Sequence, residues 1–482
     1  MSISSALISA RAGLDVVGAR ANLVATNVAN ASTPGYVRRA LTVSETILGG
    51  ETAGVQIVGI DRTENERLST ERRRLGSDLA QSNTLSAAWG SLSQRIGDDV
   101  ESSSLFQHIT AFDSALKDAV QSPESTTHAN QIVQSANNLV NEFNNLSSLI
   151  SQQRQQADQD IAASVDTLND SLKQIEDLNR SLASINRNSA EAAALFDERG
   201  RVLDQIAEFL PIQTHTRDSG AIDVLTAEGV YLVAGPAREV SFTPATAVGP
   251  AQSLAGGDLS RLMVDDTDIT PGVGTFGAVS SGRLGALFTL RDSDLPALET
   301  QLDTMAQDLI DRFSGTGIDP TNPVGSPGLF LDTDATAGTG IAGRLQLNAL
   351  VDPDRGGAVW RLRDGLGAVA PGDPGDNTIL ANLSGAFETV RTVSVPGLQG
   401  GFTATDLVAQ LGALAGQKRI QNEAVLSSTS LQFDTIQQAE ASETGVDIEN
   451  EMQDLILIEQ AYAANARVIE VANQMVRQLM EI

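Results

Sequence analysis

The apolar residues at the start of the chain fall on a strict alternation. Ile3, Leu7, Ala10, Leu14, Val17, Ala21, Val24 and Val28 are spaced four and three residues apart in turn. Such a heptad seam predicts a helix that needs a partner helix along its whole length. The far end of the chain offers one. Leu455, Ile458, Tyr462, Ile469, Ala472, Val476 and Leu479 keep the same spacing, with Asn465 as the single polar interruption. A lone polar residue in a seam fixes register at some cost in stability, so the two ends are expected to pair in a coiled-coil-like arrangement. Between Thr127 and Asn186 runs a proline-free stretch with Ile132, Ala136, Leu139, Phe143, Leu146 and Ile150 in register, then Ile161, Val165, Leu168, Leu172 and Ile175. About 60 residues at 1.5 Å rise make a rod of roughly 90 Å, which points to an elongated body. Leu75, Leu79, Trp89, Leu92 and Ile96 mark another long helix, and Leu195, Leu203, Ile206 and Leu210 a shorter one.

Glycine and proline divide the chain. Residues 201–400 hold 27 of the 42 glycines, and 13 of the 15 prolines lie between Pro211 and Pro396. Both residues interrupt helices, so the middle reads as strands and turns. Ile222–Leu225 and Val230–Val233 alternate as strands between the turns Asp218-Ser219-Gly220 and Ala227-Glu228-Gly229. Residues 283–313 return to helix. The fold class is therefore α+β: a long coiled-coil-like helical rod formed by the N- and C-terminal parts, with β-rich insertions. The expected division is 1–62 with 440–482 as terminal helices and hairpin, and 63–210 with 283–315 and 401–439 as the rod. Residues 211–282 form one β-rich insertion and 316–400 a second, turn-rich one, expected at the periphery.

Composition narrows the function classes. Net charge is −29, and of 32 basic residues only Lys117, Lys173 and Lys418 are lysines. That balance argues against nucleic acid or an anionic membrane as the main partner. Aromatic residues make up 4%, which suggests a core of Ala, Leu, Val and Ile layers rather than rings. Without cysteine there are no disulfides, thiolate metal sites or thiol catalysis. No run of 18 apolar residues predicts a membrane span, and the first residues carry no conventional signal peptide.

Candidate chemistry is thin. Two GxGxxG strings, Gly272–Gly277 and Gly338–Gly343, lack the strand before and helix after that a dinucleotide site needs. Ser114-Ala115-Leu116-Lys117 fits SxxK without a companion KTG. His108, His128 and His215 stand apart, and neither Asp265, Asp266 and Asp268 nor Asp332 and Asp334 have EF-hand spacing. No catalytic residue, cofactor site or metal site is expected.

The most informative segment is Ala25-Thr-Asn-Val-Ala-Asn-Ala-Ser-Thr-Pro-Gly-Tyr-Val-Arg-Arg39. Pro34-Gly35 predicts a type II turn that stops the first helix, because glycine accepts the positive φ at the third position. Asn27 and Asn30 precede it. Tyr36–Ser44 then alternates as a strand able to pair with Val55–Asp61 across Gly49-Gly50. This segment resembles the N-terminal signature of the bacterial flagellar axial proteins, the rod, hook and hook-associated family. Gly445-Val-Asp-Ile-Glu-Asn-Glu-Met452 and Gln460-Ala-Tyr-Ala-Ala-Asn-Ala-Arg467 resemble that family's C-terminal signature. Within the family, Leu195-Phe-Asp-Glu-Arg-Gly-Arg-Val-Leu-Asp204 and Val351–Asp364 resemble segments of the hook-associated members at the hook–filament junction.

The resemblance implies a structural subunit rather than an enzyme, self-assembling through its terminal helices. The candidate assembly residues are Ile3, Leu7, Leu14, Val17, Val24, Asn27, Val28, Asn30, Pro34, Gly35, Tyr36 and Arg38, with Leu455, Ile458, Tyr462, Asn465, Ile469, Val476 and Leu479. Implied partners are further copies of the chain, hook protein, an adjoining hook–filament junction protein, a cytosolic export chaperone and the flagellar export gate. No nucleic acid and no membrane insertion are implied. The implied location is the extracellular flagellum, reached from the cytoplasm by the flagellar type III apparatus. A hook or distal rod protein, a secreted coiled-coil adhesin or effector, and an enzyme carried in the middle insertion remain the alternatives.

Overall fold

The computed structural model describes residues 3–48, 51–97, 104–274, 277–315 and 317–480. Helix α1 (Ile3–Ala29) leads into a long antiparallel hairpin, β1 (Arg39–Leu48) and β2 (Glu51–Arg62). Its first strand begins at Arg39 rather than Tyr36, and the expected Gly49-Gly50 loop lies outside the described residues. Four helices follow: α2 (Glu66–Gly97), α3 (Leu105–Gln121), α4 (Thr126–Ser184) and α5 (Ala190–Phe209). Two small sheets come next, β3 (Ile212–Thr216), β4 (Ile222–Thr226) and β5 (Tyr231–Val233), then β6 (Val240–Ser241), β7 (Met263–Val264) and β8 (Thr267–Asp268). Helix α6 (Gly282–Thr289) continues through a π-turn, Leu290–Asp294, into α7 (Leu295–Arg312).

The second insertion contains the pair β9 (Phe330–Asp332) and β10 (Leu345–Leu347), and the short helices α8 (Arg361–Asp364) and α9 (Thr378–Glu388). It closes with the hairpin β11 (Arg391–Val395) and β12 (Leu398–Phe402). Two long helices end the chain, α10 (Ala404–Thr444) and α11 (Ile448–Met480). α10 runs along α2, and α11 along α1.

The predicted rod is one uninterrupted helix. α4 spans 59 residues without glycine or proline, and Ser125 caps its start by accepting from the His128 N–H. At 1.5 Å rise it is about 88 Å long. That length lets it serve two separate cores. Its first half, Ile132 to Ile150, packs with α3, α7, the start of α10 and the second insertion. Its second half, Ala157 to Leu178, packs with α5, α6 and the first insertion, where Val224, Leu232 and Val264 are buried.

Two expectations change here. The second insertion is not peripheral: Leu329, Phe330, Leu345, Leu347, Leu380, Leu383, Phe387 and Leu398 are buried in the same core as α4. Its glycines and prolines shape turns between residues that fill a core. Nor is the core ring-free. Phe112, Phe313, Phe330 and Phe387 meet with ring centroids 5.5–6.3 Å apart, mostly edge-on, a favoured geometry for aromatic pairs.

A polar layer separates the two cores. Arg291, in the π-turn, is fully buried and pairs with the equally buried Asp158 at 2.6 Å. Its guanidinium lies 4.7 Å over the Phe288 ring and 5.5 Å from that of Phe242. One turn earlier on α4, Arg154 donates to the carbonyls of Arg291 (2.9 Å), Gly249 (2.6 Å) and Gln252 (2.8 Å). A buried ion pair contributes little net stability against an apolar replacement, but breaking it costs several kcal/mol.

Candidate functional site: the joint of the two chain ends

The first signature folds around one side chain. At the end of α1, Asn30 turns back and donates to the Thr26 carbonyl at 2.9 Å. The Tyr36 N–H then donates to the Thr33 carbonyl at 3.2 Å, and Gly35 has φ +75°. That is the predicted type II turn. Glycine is required twice over, because a Cβ there would stand 2.7 Å from Cγ of Arg201. The turn brings Tyr36 and Arg39 back onto Asn27, which is 1% exposed. Asn27 Nδ2 donates to the Arg39 carbonyl (2.9 Å) and to Glu451 Oε2 (3.2 Å). Its Oδ1 accepts from the Tyr36 hydroxyl (2.8 Å) and the Arg39 N–H (3.3 Å). Both donors and both lone pairs of the amide are engaged. Burial pushes the Tyr36 phenol above its ordinary range, partly offset by the Arg39 guanidinium.

The C-terminal signature supplies the other half of the joint. Glu451 is fully buried and accepts from Arg38 Nε at 2.7 Å. One turn later Asp454 accepts from Arg20 (3.2 Å) and Arg38 (3.5 Å). The Arg38 N–H donates to the Thr444 carbonyl at 2.8 Å, tying the turn to the α10–α11 connection.

Helix α5 fastens this unit to the rod. Asp197, 5% exposed, accepts from Arg39 Nη2 at 2.8 Å and from Arg62 Nη2 at 2.8 Å. Seven residues on, and so on the same face, Asp204 accepts from Arg72 at 2.9 Å and Arg73 at 2.8 Å. Arg72 also pairs with Glu440 of α10. Phe196 lies beneath two guanidinium groups, 5.4 Å from that of Arg62 and 4.9 Å from that of Arg199. Arg199, desolvated by burial and repelled by Arg62 and Arg73, has its pKa drawn down to about 10. The stretch from Leu195 to Asp204, read from sequence as part of a short helix and as a resemblance, carries a pair of carboxylates that receives four arginines.

The seam residues divide. On α1, Val24 is buried, while Ile3, Leu7, Leu14, Val17 and Val28 are half-buried. Pro34 and Gly35 are exposed and Arg38 half-buried. On α11, Ile458 and Ala472 are buried, and Asn465, Ile469 and Val476 half-buried. Asn465 stands opposite Gly13, where a Cβ would lie 2.9 Å from its amide. Leu455, Tyr462 and Leu479, expected on the same stripe, instead face outward, 39%, 56% and 64% exposed. A straight helix drifts about 20° per heptad from a 3.5-residue repeat, and the Arg38–Glu451 and Arg20–Asp454 pairs set the rotation. Asp454 and Ala461 therefore take the inner positions. Arg20, Arg39, Asp197, Glu451 and Asp454 were not singled out from sequence. The visible signals were the Arg38-Arg39 doublet and two acids seven residues apart.

The other motifs resolve into structure. In the second GxGxxG string the N–H groups of Gly340 and Ala342 donate to Asp303 at 2.7 and 2.9 Å. In the first string, residues 275–276 lie outside the described residues. Lys117 pairs with Asp113 (2.8 Å) and Glu388 (3.0 Å). Among the described residues no three His, Asp or Glu side chains form a metal-holding group, and no helix is long and apolar enough to cross a membrane.

Comparison with known proteins bears on the same segments. Residues 91–321 match the model of the flagellar hook-associated protein FlgK helical domain, and residues 437–482 that of the flagellar basal body rod FlgEFG protein C-terminal segment. The flagellar hook-associated protein 1 of Escherichia coli is 24% identical over 329 residues, covering 65% of this chain and 57% of that protein. The Salmonella typhimurium protein of the same name is 24% identical over 320 residues (65% and 56%). The chain thus spans little more than half the length of these two relatives. The Bacillus subtilis protein of that name is 20% identical over 509 aligned positions, covering 97% of this chain and 96% of its own. Among solved structures, the flagellar hook junction protein FlgK from Burkholderia pseudomallei aligns with TM-score 0.44 and 16% identity, over 55% of this chain and 46% of that one. Asp197 and Asp204 fall in the first matched segment and Glu451 and Asp454 in the second, so both halves of the joint lie where the chain is similar to flagellar axial proteins, the hook-associated proteins among them.

Proposed function

We propose that the chain is a structural, non-catalytic subunit of the hook–filament junction, exported by the flagellar type III apparatus and self-assembling outside the cell. Its neighbours are copies of itself, hook protein and an adjoining junction protein; before export a cytosolic chaperone covers its C-terminal helix. Residues 1–62 with 440–482 act as the assembly unit, and the remaining segments as the rod and its two insertions. One observation carries this reading. The two signatures lock α1 to α11 from inside, while Leu455, Ile456, Tyr462, Val468, Val471, Met475 and Leu479 stay exposed around the rest of α11. Large apolar side chains left exposed in such number mark an interaction surface. Tyr462→Asp tests it: the variant is expected to be secreted and to melt like the parent, yet to fail at the junction, with filament subunits leaking into the medium. Normal incorporation and motility of Tyr462→Asp would refute this assignment.

A further inference from the structure

Glu299 of α7 is 4% exposed and makes one hydrogen bond, accepting from Ser147 Oγ of α4 at 2.5 Å. Its Oε2 is buried without a partner among the described residues. A carboxylate so placed loses hydration without compensation, which favours its protonated form. Asp303, one turn later, receives the N–H groups of Gly340 and Ala342. Gly340 in turn packs against the first insertion, since a Cβ on it would lie 3.1 Å from Cγ of Pro250. The loop around Pro250 is held by Arg154 through the Gly249 and Gln252 carbonyls. Gly343, at the end of the same string, packs on Ser147, with a Cβ position 2.9 Å from its hydroxyl. Glu299 therefore sits beneath the point where the two insertions touch.

We propose that Glu299 is a proton-operated latch: protonated, it lets the 338–343 loop seat on Asp303 and Pro250, and ionised, it unseats that loop. The charged groups acting on Glu299 are Asp303 on its own helix and Arg154 on α4; Arg344, from the loop, acts on Asp303. Burial foremost, with Asp303 adding repulsion, raises the Glu299 carboxyl to about 7 against the opposing pull of Ser147 and Arg154. Burial also raises Asp303, offset by the loop N–H groups. Ionisation puts a second negative charge beside Asp303 and leaves Oε2 seeking a donor, and water or the loop N–H groups are the sources at hand. The sign follows from linkage. A folded-state pKa above the unfolded one gives a contribution complete below about 4.5 and lost as pH rises through about 7.

The experiment is amide exchange on the full chain between pH 5.5 and 8.5, with intrinsic rates divided out and the β3–β5 sheet as reference. Protection at Gly340 and Ala342 is expected to fall about tenfold from pH 6 to 8.5, while the reference stays level. Glu299→Gln is expected to abolish the fall. Ser147→Ala removes a bond that favours the ionised form and is expected to move the midpoint upward. A level wild-type profile overturns the latch even if Glu299→Gln fails to fold. A fall that survives in Glu299→Gln, or a downward shift in Ser147→Ala, also overturns it.

Discussion

The terminal joint and the phenylalanine core hold chain segments together by opposite means. In the core, Phe112, Phe313, Phe330 and Phe387 come from four elements and pack ring against ring. In the joint, Asn27, Arg38, Arg39, Asp197 and Glu451 use buried hydrogen-bonded charge, while apolar side chains remain outside. Apolar packing is strong but tolerant of geometry, whereas a saturated amide and paired carboxylates accept one arrangement. The body is thereby built for stability, and the ends for a fixed mutual orientation.

This contrast is easiest to break in the core. Removing residues 316–400 takes away Phe330, Leu345, Leu380, Phe387 and Leu398, each worth roughly 1.5–3 kcal/mol. Together that is about 8–15 kcal/mol, as large as the usual stability of a whole domain, so the first core is expected to unfold, read as lost cooperative melting by circular dichroism. Phe112→Ala is expected to cost about 3–5 kcal/mol in denaturant titration. In the joint, Glu451→Ala removes the buried acceptor of Arg38 Nε and one of the two acceptors of the Asn27 amide. A cost of about 2–4 kcal/mol is expected, confined to exchange of amides in α1 and α11. Equal loss of protection in α4 would show that the joint and body are one cooperative unit.

The Tyr36 hydroxyl gives a smaller, pH-dependent test. Its folded pKa is raised, so its contribution is complete below the ordinary phenol value near 10 and is lost as pH rises above it. Alkaline loosening of α1 is expected in the parent and absent in Tyr36→Phe, followed by the same exchange measurement. Smallest of all, Tyr462→Asp on the exposed part of α11 is expected to change monomer stability by under about 0.5 kcal/mol, whereas Ile469→Asp, half-buried towards α1, should lower it measurably. Equal melting of the two would erase the distinction between inner and outer faces.

Elements whose residues repeat locally were legible in the sequence. The 59-residue α4 and the Pro34-Gly35 turn each follow from a short-range rule. The pairing of the ends was also readable, but not its rotation, because Leu455 and Asp454 compete for one position and ion pairs decide. The π-turn carrying Arg291 has no periodic signal. The four phenylalanines meet only after the chain has folded, and nothing in the turn-rich spacing around Phe330 announces that it belongs to a core.

The Asn27–Glu451 bond joins residues 424 positions apart. A contact with such a separation cannot form while the chain is being delivered from one end, whichever end comes first. The amide of Asn27 can be satisfied only when the segment around Glu451 has also arrived. The joint therefore works as a check on completeness: a chain cut anywhere before Glu451 keeps a hollow, polar socket at the end of its first helix. Its first helix then lacks the contact that fixes it against the last. Whether both ends of the chain are present is thereby registered at a single asparagine, whose amide is saturated only when they meet.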